Sequence, residues 1–107
     1  MAASTVTPAP GLTVQIAVGG TAVIVAGPNP NGGYITNPIS AVDQGLPASS
    51  APEPLFIDPT GKPATTQGNG TTFRLEPGQT FELIPGQTTT TSVNAATTGH
   101  KFSAVVY

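Results

Sequence analysis

The chain has 107 residues, and its three basic and five acidic residues make only 7% of it charged, with a net charge of −2. So few basic residues exclude the surface that nucleic-acid binding requires, and the lack of cysteine excludes disulfides, thiolate metal sites and cysteine nucleophiles. We predict one domain that is not an enzyme and needs no cofactor.

The N-terminal segment differs from the rest of the chain. Residues 1–11 contain two prolines and no charged side chain, so we predict an extended arm ahead of a single domain over 12–107. The start has no basic flank or continuous apolar stretch, and two glycines interrupt the most apolar region, 12–26. We therefore expect synthesis in a host cytoplasm without a signal peptide, and no contact with a membrane.

The first predicted elements are two strands. Apolar and polar residues alternate from Leu12 to Val18, which is typical of a strand with one buried face. Gly19 and Gly20 follow, and two glycines can adopt the positive φ of a tight turn. We predict that 21–26 folds back as the second arm of a hairpin.

The middle of the chain is less regular. Turn-forming residues fill 27–33, and 34–37 predicts a short strand that Pro38 ends. Residues 40–45 begin with serine and end with glycine, which fits either one capped helical turn or an irregular loop. The proline-rich stretch 47–54 predicts a crossing from one edge of the fold to another.

The C-terminal half predicts further short strands, at 55–58, 71–75, 80–84, 88–93 and 100–107. Pro-Gly pairs in 76–79 and 85–87 suit type II turns. Seven or eight such strands without an amphipathic helix predict an all-β fold, an antiparallel β-sandwich or barrel with an extended N-terminal arm. The side chains predicted to face the core are Leu12, Val14, Ile16, Val18, Val23, Val25, Leu55, Ile57, Phe73, Leu75, Phe81, Leu83, Phe102, Ala104 and Val106.

Residues that could carry chemistry are few. Glu76 and Glu82 are the nearest pair of acids that could lie on one hairpin, but we expect Glu76 in a turn and Glu82 on an exposed strand face rather than facing each other as in a glycosidase. His100 has no second histidine or cysteine to share a metal, so we expect a hydrogen-bonded or solvent-facing side chain. Asn69-Gly70-Thr71 matches the N-glycosylation sequence pattern, and we interpret this match as a chance occurrence. We predict no catalytic, metal or cofactor-binding residue.

The predicted surface is polar and almost neutral, because threonines such as those at 88–91 are expected on outward strand faces. Neutral faces dock without desolvating ions, which favours a subunit that packs among other proteins. Strand addition through 5–7 is one way for the arm to bind a neighbour.

Several features occur together: the Met1-Ala2-Ala3-Ser4 start, the uncharged arm, the cysteine-free strands, and the segments 53–61 and 93–107. In this combination the chain resembles small bacteriophage virion proteins of the head decoration or accessory type. The resemblance implies a non-enzymatic β-domain in the virion that binds the major capsid protein or other virion subunits and reinforces the shell. It also implies a homo-oligomer, with a trimer favoured.

The residues expected at partner contacts are Thr5, Val6, Thr7, Pro8, Pro10 and Tyr34. The alternative hypothesis is a glycan- or receptor-binding β-module of a tail fibre or spike, for which Tyr34 is a candidate contact because sugar faces bind aromatic rings.

Overall fold

The computed structural model describes residues 13–106, in which every regular element is a β-strand. The eight strands are β1 (Thr13–Gln15), β2 (Val23–Ala26), β3 (Gly33–Thr36), β4 (Leu55–Asp58), β5 (Phe73–Leu75), β6 (Thr80–Leu83), β7 (Thr91–Asn94) and β8 (Lys101–Val106). The predicted all-β class is confirmed. Within the described range there is no helix with the length and apolar character needed to cross a bilayer.

The strands form two four-stranded antiparallel sheets, in the orders β1-β8-β3-β6 and β2-β7-β4-β5. Consecutive strands β1 and β2, β3 and β4, β5 and β6, and β7 and β8 occupy matching positions in the two sheets. This order defines a jelly roll, the double-sheet arrangement of two Greek keys. Of the two predicted architectures, the sandwich is the one that forms.

One core fills the space between the sheets. Its buried members come from both sheets and include Ile16, Val25, Leu55, Ile57, Leu75, Leu83, Phe102 and Ala104, as predicted. Val14, Val23, Phe81 and Val106 are partly buried and pack against this cluster. Ile35 and Val93 are fully buried core residues that the predicted inward set did not contain.

Two predicted core residues are exposed. Val18 is 57% exposed because it belongs to the turn after β1, and Phe73 is 55% exposed because β5 is an edge strand. Leu12 lies outside the described residues. Thr91, expected on an outward face, is fully buried as the first residue of β7.

The predicted hairpin between β1 and β2 is wrong. A tight turn does form, since Thr21 N donates to Val18 O at 3.0 Å, but β1 pairs with β8 and β2 with β7. A Cβ on Gly19 would lie 2.4 Å from Ala96 O, so this glycine permits close packing against the β7–β8 connection. The two glycines carry the chain from one sheet to the other.

The capped helical turn at 40–45 is confirmed. Ser40 Oγ accepts from Asp43 N at 3.1 Å, as an N-cap does. Gly45 has φ +75°, and the bonds from Gly45 N to Val42 O and from Leu46 N to Ala41 O form a Schellman ending.

The connections gather at the two ends of the sandwich. The distal end consists of the loops 16–22, 37–54, 76–79 and 95–100. Backbone hydrogen bonds, such as that from Lys101 N to Gln44 O, join these loops. The proximal end comprises 27–32, 59–72 and 84–90. Since β1 starts and β8 finishes there, both ends of the described chain lie at the proximal end.

Candidate partner-binding surfaces

A buried amide, Asn37, joins the distal loops to one another. Its Nδ2 donates to Glu53 O at 2.9 Å and to Leu75 O at 3.1 Å, and because both are carbonyls they fix the orientation of the amide. Asn37 Oδ1 then accepts from Gln44 Nε2 and from His100 Nε2, each at 3.0 Å. One side chain therefore connects two distal loops, 37–54 and 95–100, and the end of β5.

Gln44 continues the network. Its Oε1 accepts from Glu53 N at 2.8 Å, and its Nε2 lies 2.8 Å from Pro38 O and 3.0 Å from Glu53 O. The Glu53 carboxylate in turn accepts from Thr97 Oγ1 at 2.8 Å. Asn37, Gln44 and His100 are all fully buried. The hydrogen bonds described above satisfy every polar side-chain atom of these three residues except one.

The exception is Nδ1 of His100, which is buried without a hydrogen-bond partner. Because Nε2 faces an oxygen acceptor, the neutral ring carries its proton on Nε2. Burial lowers the pKa of His100 below 6.5, although the Glu53 carboxylate acts in the opposite direction. The expectation of a hydrogen-bonded histidine is confirmed, and its ring lies in the interior.

Unfolding experiments should detect this burial as a pH dependence. Below pH 6.5 the unfolded chain gains a proton on its single histidine while the folded protein does not. The free energy of unfolding should therefore decrease as the pH is lowered, until the pH reaches the lowered pKa of His100. Denaturant unfolding at several pH values between 7 and 5 measures the slope. His100→Gln keeps a donor for Asn37 and should remove the slope; a flat wild-type profile would contradict the burial argument.

The network fixes loops whose tips are apolar. Val18, Ile39 and Val42 are 57%, 72% and 62% exposed, and all three lie in distal connections. Solitary exposed aliphatic residues are ordinary, but three of them lie in connections at the same end of the sandwich, where Val42 is beside the charged residues Asp43 and Lys101. The distal tips are thus a candidate docking surface.

A different buried polar group organises the proximal end. Asp58 is the last residue of β4 and is fully buried. Its Oδ1 accepts from Thr60 N at 2.9 Å, and its Oδ2 from Thr71 Oγ1 at 2.7 Å and Asn69 Nδ2 at 3.1 Å. Burial alone raises the pKa of Asp58, but these bonds outweigh it and lower the pKa from 3.8 to about 2.

Asp58 anchors a long connection that we call the strap, residues 59–72. The strap lies on the outer face of the second sheet, where Ser92 Oγ accepts from Ala64 N at 2.8 Å and Asn94 Nδ2 donates to Ala64 O at 2.9 Å. Thr71 was predicted in a strand, yet its hydroxyl bonds to Asp58, and β5 begins at Phe73. The strap therefore covers part of the outer face of the second sheet.

Tyr34 lies on the outer face of the first sheet. It is 38% exposed and lines a groove of about 530 Å³ between β3 and the edge strand β6. Its cross-strand neighbours are Glu82 on β6 and Val105 on β8. Of the six predicted partner contacts, Tyr34 is the one within the described residues; Thr5, Val6, Thr7, Pro8 and Pro10 lie outside them.

The remaining candidates for chemistry do not converge. Glu76 forms an ion pair with Arg74 beside the second sheet, whereas Glu82 faces outward from the first, as expected for a turn and an exposed strand position. Asn69 of the glycosylation pattern bonds to Asp58. Among residues 13–106 no group of three or more His, Asp or Glu side chains could hold a metal ion.

These features define an all-β module with a jelly-roll strand order and two candidate contact surfaces, the distal tips and the Tyr34 groove. Comparison with protein-family models, with curated proteins and with solved structures gave no match.

Proposed function

We propose that the protein is a non-enzymatic structural subunit of a phage particle that decorates or cements the capsid shell. The observation that carries the proposal is the distal end, where three exposed aliphatic side chains lie on loops held by hydrogen bonds: the loop of Ile39 and Val42 by the Asn37 network, and the loop of Val18 by bonds from Gly19 N to Thr98 Oγ1 and from Gly20 N to Ala95 O. Loops held in this way lose little conformational entropy on docking, and exposed aliphatic side chains contribute apolar area to an interface. Such a surface favours permanent packing against other proteins.

The proposed partners are the major capsid protein or other virion subunits, within a homo-oligomer for which a trimer is favoured. The described chain begins at the proximal end, where β1 starts, opposite the distal tips. One subunit can then hold two neighbours, one through the tips and one through the arm. The jelly roll supports this proposal by analogy, since viral capsid domains and lectins both use it.

Substitution of the distal tips tests the proposal. Val18→Ser, Ile39→Ser and Val42→Ser together should change stability little, because the side chains are exposed, yet lower occupancy on particles at least about tenfold. Quantitative mass spectrometry of purified particles gives the occupancy. The matched control is Ile84→Ser, at the proximal end and 64% exposed. Equal occupancy of the triple variant and the control would refute docking through the tips.

Deletion of residues 1–11 tests the arm separately. The core lies within 16–104, so the deleted protein should keep the thermal unfolding of the full chain while its particle occupancy decreases. Copy number in the same particles locates the subunit: a number comparable to that of the major capsid protein supports the shell. A few copies per particle would contradict a decorating role.

The second candidate function is the receptor-binding module of a tail fibre or spike. The groove beside Tyr34 favours it, because an exposed aromatic ring lies there among polar side chains. A low copy number together with reduced adsorption of particles carrying Tyr34→Ala would support this candidate against the first.

A further inference from the structure

The Tyr34 groove has the composition of a small polar ligand site. It lies on the outer face of the first sheet and is lined by Asn31, Tyr34, Thr36, Thr80 and Glu82, together with Gly32, Gly33, Leu83 and Pro85. Its volume of about 530 Å³ falls in the range of small-molecule sites. One aromatic ring, two hydroxyls, an amide and a carboxylate therefore face the same space.

The polar groups of this groove are uncommitted. No hydrogen bond joins the side chains of Asn31, Tyr34 or Glu82 to any other residue within 13–106, whereas Asn37 and Asn69 are saturated by their neighbours. Thr36 and Thr80 share one bond of 2.9 Å between their hydroxyl oxygens, which leaves each with acceptor capacity. The hydroxyls of a ligand can form hydrogen bonds with these side chains, and no hydrogen bond between the strands has to break.

Two glycines with positive φ form the proximal end of the groove. Gly32 and Gly33 have φ of +135° and +142°, a region that side chains rarely adopt. A Cβ on Gly33 would lie 2.1 Å from Val105 O, so no other residue fits at the start of β3. The approach to Tyr34 from the proximal end is thus bounded by backbone.

We propose that this groove binds a neutral saccharide, with the Tyr34 ring against the C–H face of one pyranose and with Glu82 and Asn31 bonded to its hydroxyls. Aromatic faces pack against apolar C–H surface, and the carboxylate and amide supply the directional partners that select an orientation. The lining contains Glu82 and no basic residue, so acidic sugars are disfavoured. The inference deepens the second candidate function and does not depend on the first.

Tyrosine fluorescence provides a direct test, because the chain has two tyrosines and no tryptophan. In Tyr107→Phe the emission comes from Tyr34 alone. Titration with cellohexaose, maltohexaose, chitohexaose and methyl-esterified hexagalacturonate should change this emission for at least one probe, with Kd of about 1 mM or tighter. Unesterified hexagalacturonate, which has the same sugar backbone but carries carboxylates in place of the methyl esters, should bind at least about tenfold more weakly.

Calorimetric titration of the best probe assigns the site. Tyr34→Ala should weaken binding at least about tenfold and Glu82→Gln about three- to tenfold, while Glu76→Gln, an exposed glutamate outside the groove, should leave it unchanged. Thermal unfolding checks that each variant folds, and Asn31→Ala replaces Tyr34→Ala if that variant does not. Binding of none of the probes by the wild type, or equal binding by all variants, would overturn the inference. Particle occupancy and adsorption are separate measurements, so their failure would affect the proposed functions alone.

Discussion

Asn37→Ala is expected to lower the free energy of unfolding by about 3 to 5 kcal/mol. The substitution removes four hydrogen bonds and leaves Gln44 Nε2 and His100 Nε2 without the oxygen that both share. Gln44 Nε2 keeps Pro38 O and Glu53 O as acceptors, but His100 Nε2 becomes an unpaired buried donor and Leu75 O loses the amide that donates to it. An unpaired buried polar group costs about 1 to 3 kcal/mol, and the lost side-chain packing and loop contacts add to this cost. Guanidinium unfolding followed by circular dichroism measures the change.

The matched control for Asn37 is Asn31→Ala. Asn31 is exposed and its side chain bonds to no other described residue, so its loss should change stability by less than about 0.5 kcal/mol. If the two substitutions have the same effect, the distal loops are not held by the buried amide. The rigid presentation of the distal tips would then lose its physical basis.

Asp58→Ala is expected to lower the free energy of unfolding by about 2 to 4 kcal/mol and to release the strap. The variant leaves Thr60 N, Thr71 Oγ1 and Asn69 Nδ2 without their acceptor. Limited proteolysis should then cut within 59–72 faster than in the wild type, because local opening of the strap no longer breaks these bonds.

Acid unfolding provides the second measurement for Asp58. The pKa of its carboxyl is about 2 in the folded protein and 3.8 ordinarily, so its contribution is present above pH 3.8 and is lost as pH falls from 3.8 toward 2. Asp58→Ala should lack this part of the acid profile, whereas Asp43→Ala, at an exposed position, should keep it. Identical profiles for the two variants would show that the carboxylate does not hold the strap.

The strands were predictable because their signals are local. The alternation around Ile16 and Phe102 gave the buried faces, and the Pro-Gly pairs at 77–78 and 85–86 form the expected turns, with φ of +86° at Gly78 and +79° at Gly86. Strand partners were not predictable in the same way. A tight turn at Gly19 and Gly20 reverses the chain, but the partners of both flanking strands lie some 65 to 90 residues further along.

The polar clusters escaped the sequence analysis for the same reason. Asn37 contacts residues 7, 16, 38 and 63 positions away, so no spacing rule marks it as buried. The single signal available was compositional, since a lone histidine in so uncharged a chain is seldom left without a hydrogen bond. Tyr34 was recognised from its residue type, but the groove around it also needs β6, more than 40 residues later.

The pairing of β1 with β8 has a consequence for biosynthesis. The first described strand finds its backbone partner only after the seven following strands have been synthesised, so the first sheet cannot close before β8 has emerged from the ribosome. Such non-local pairing places folding of small β-domains on the millisecond-to-second scale. Until β8 emerges, the nascent polypeptide exposes strands with unpaired backbone groups, and its few charges provide little electrostatic repulsion against aggregation.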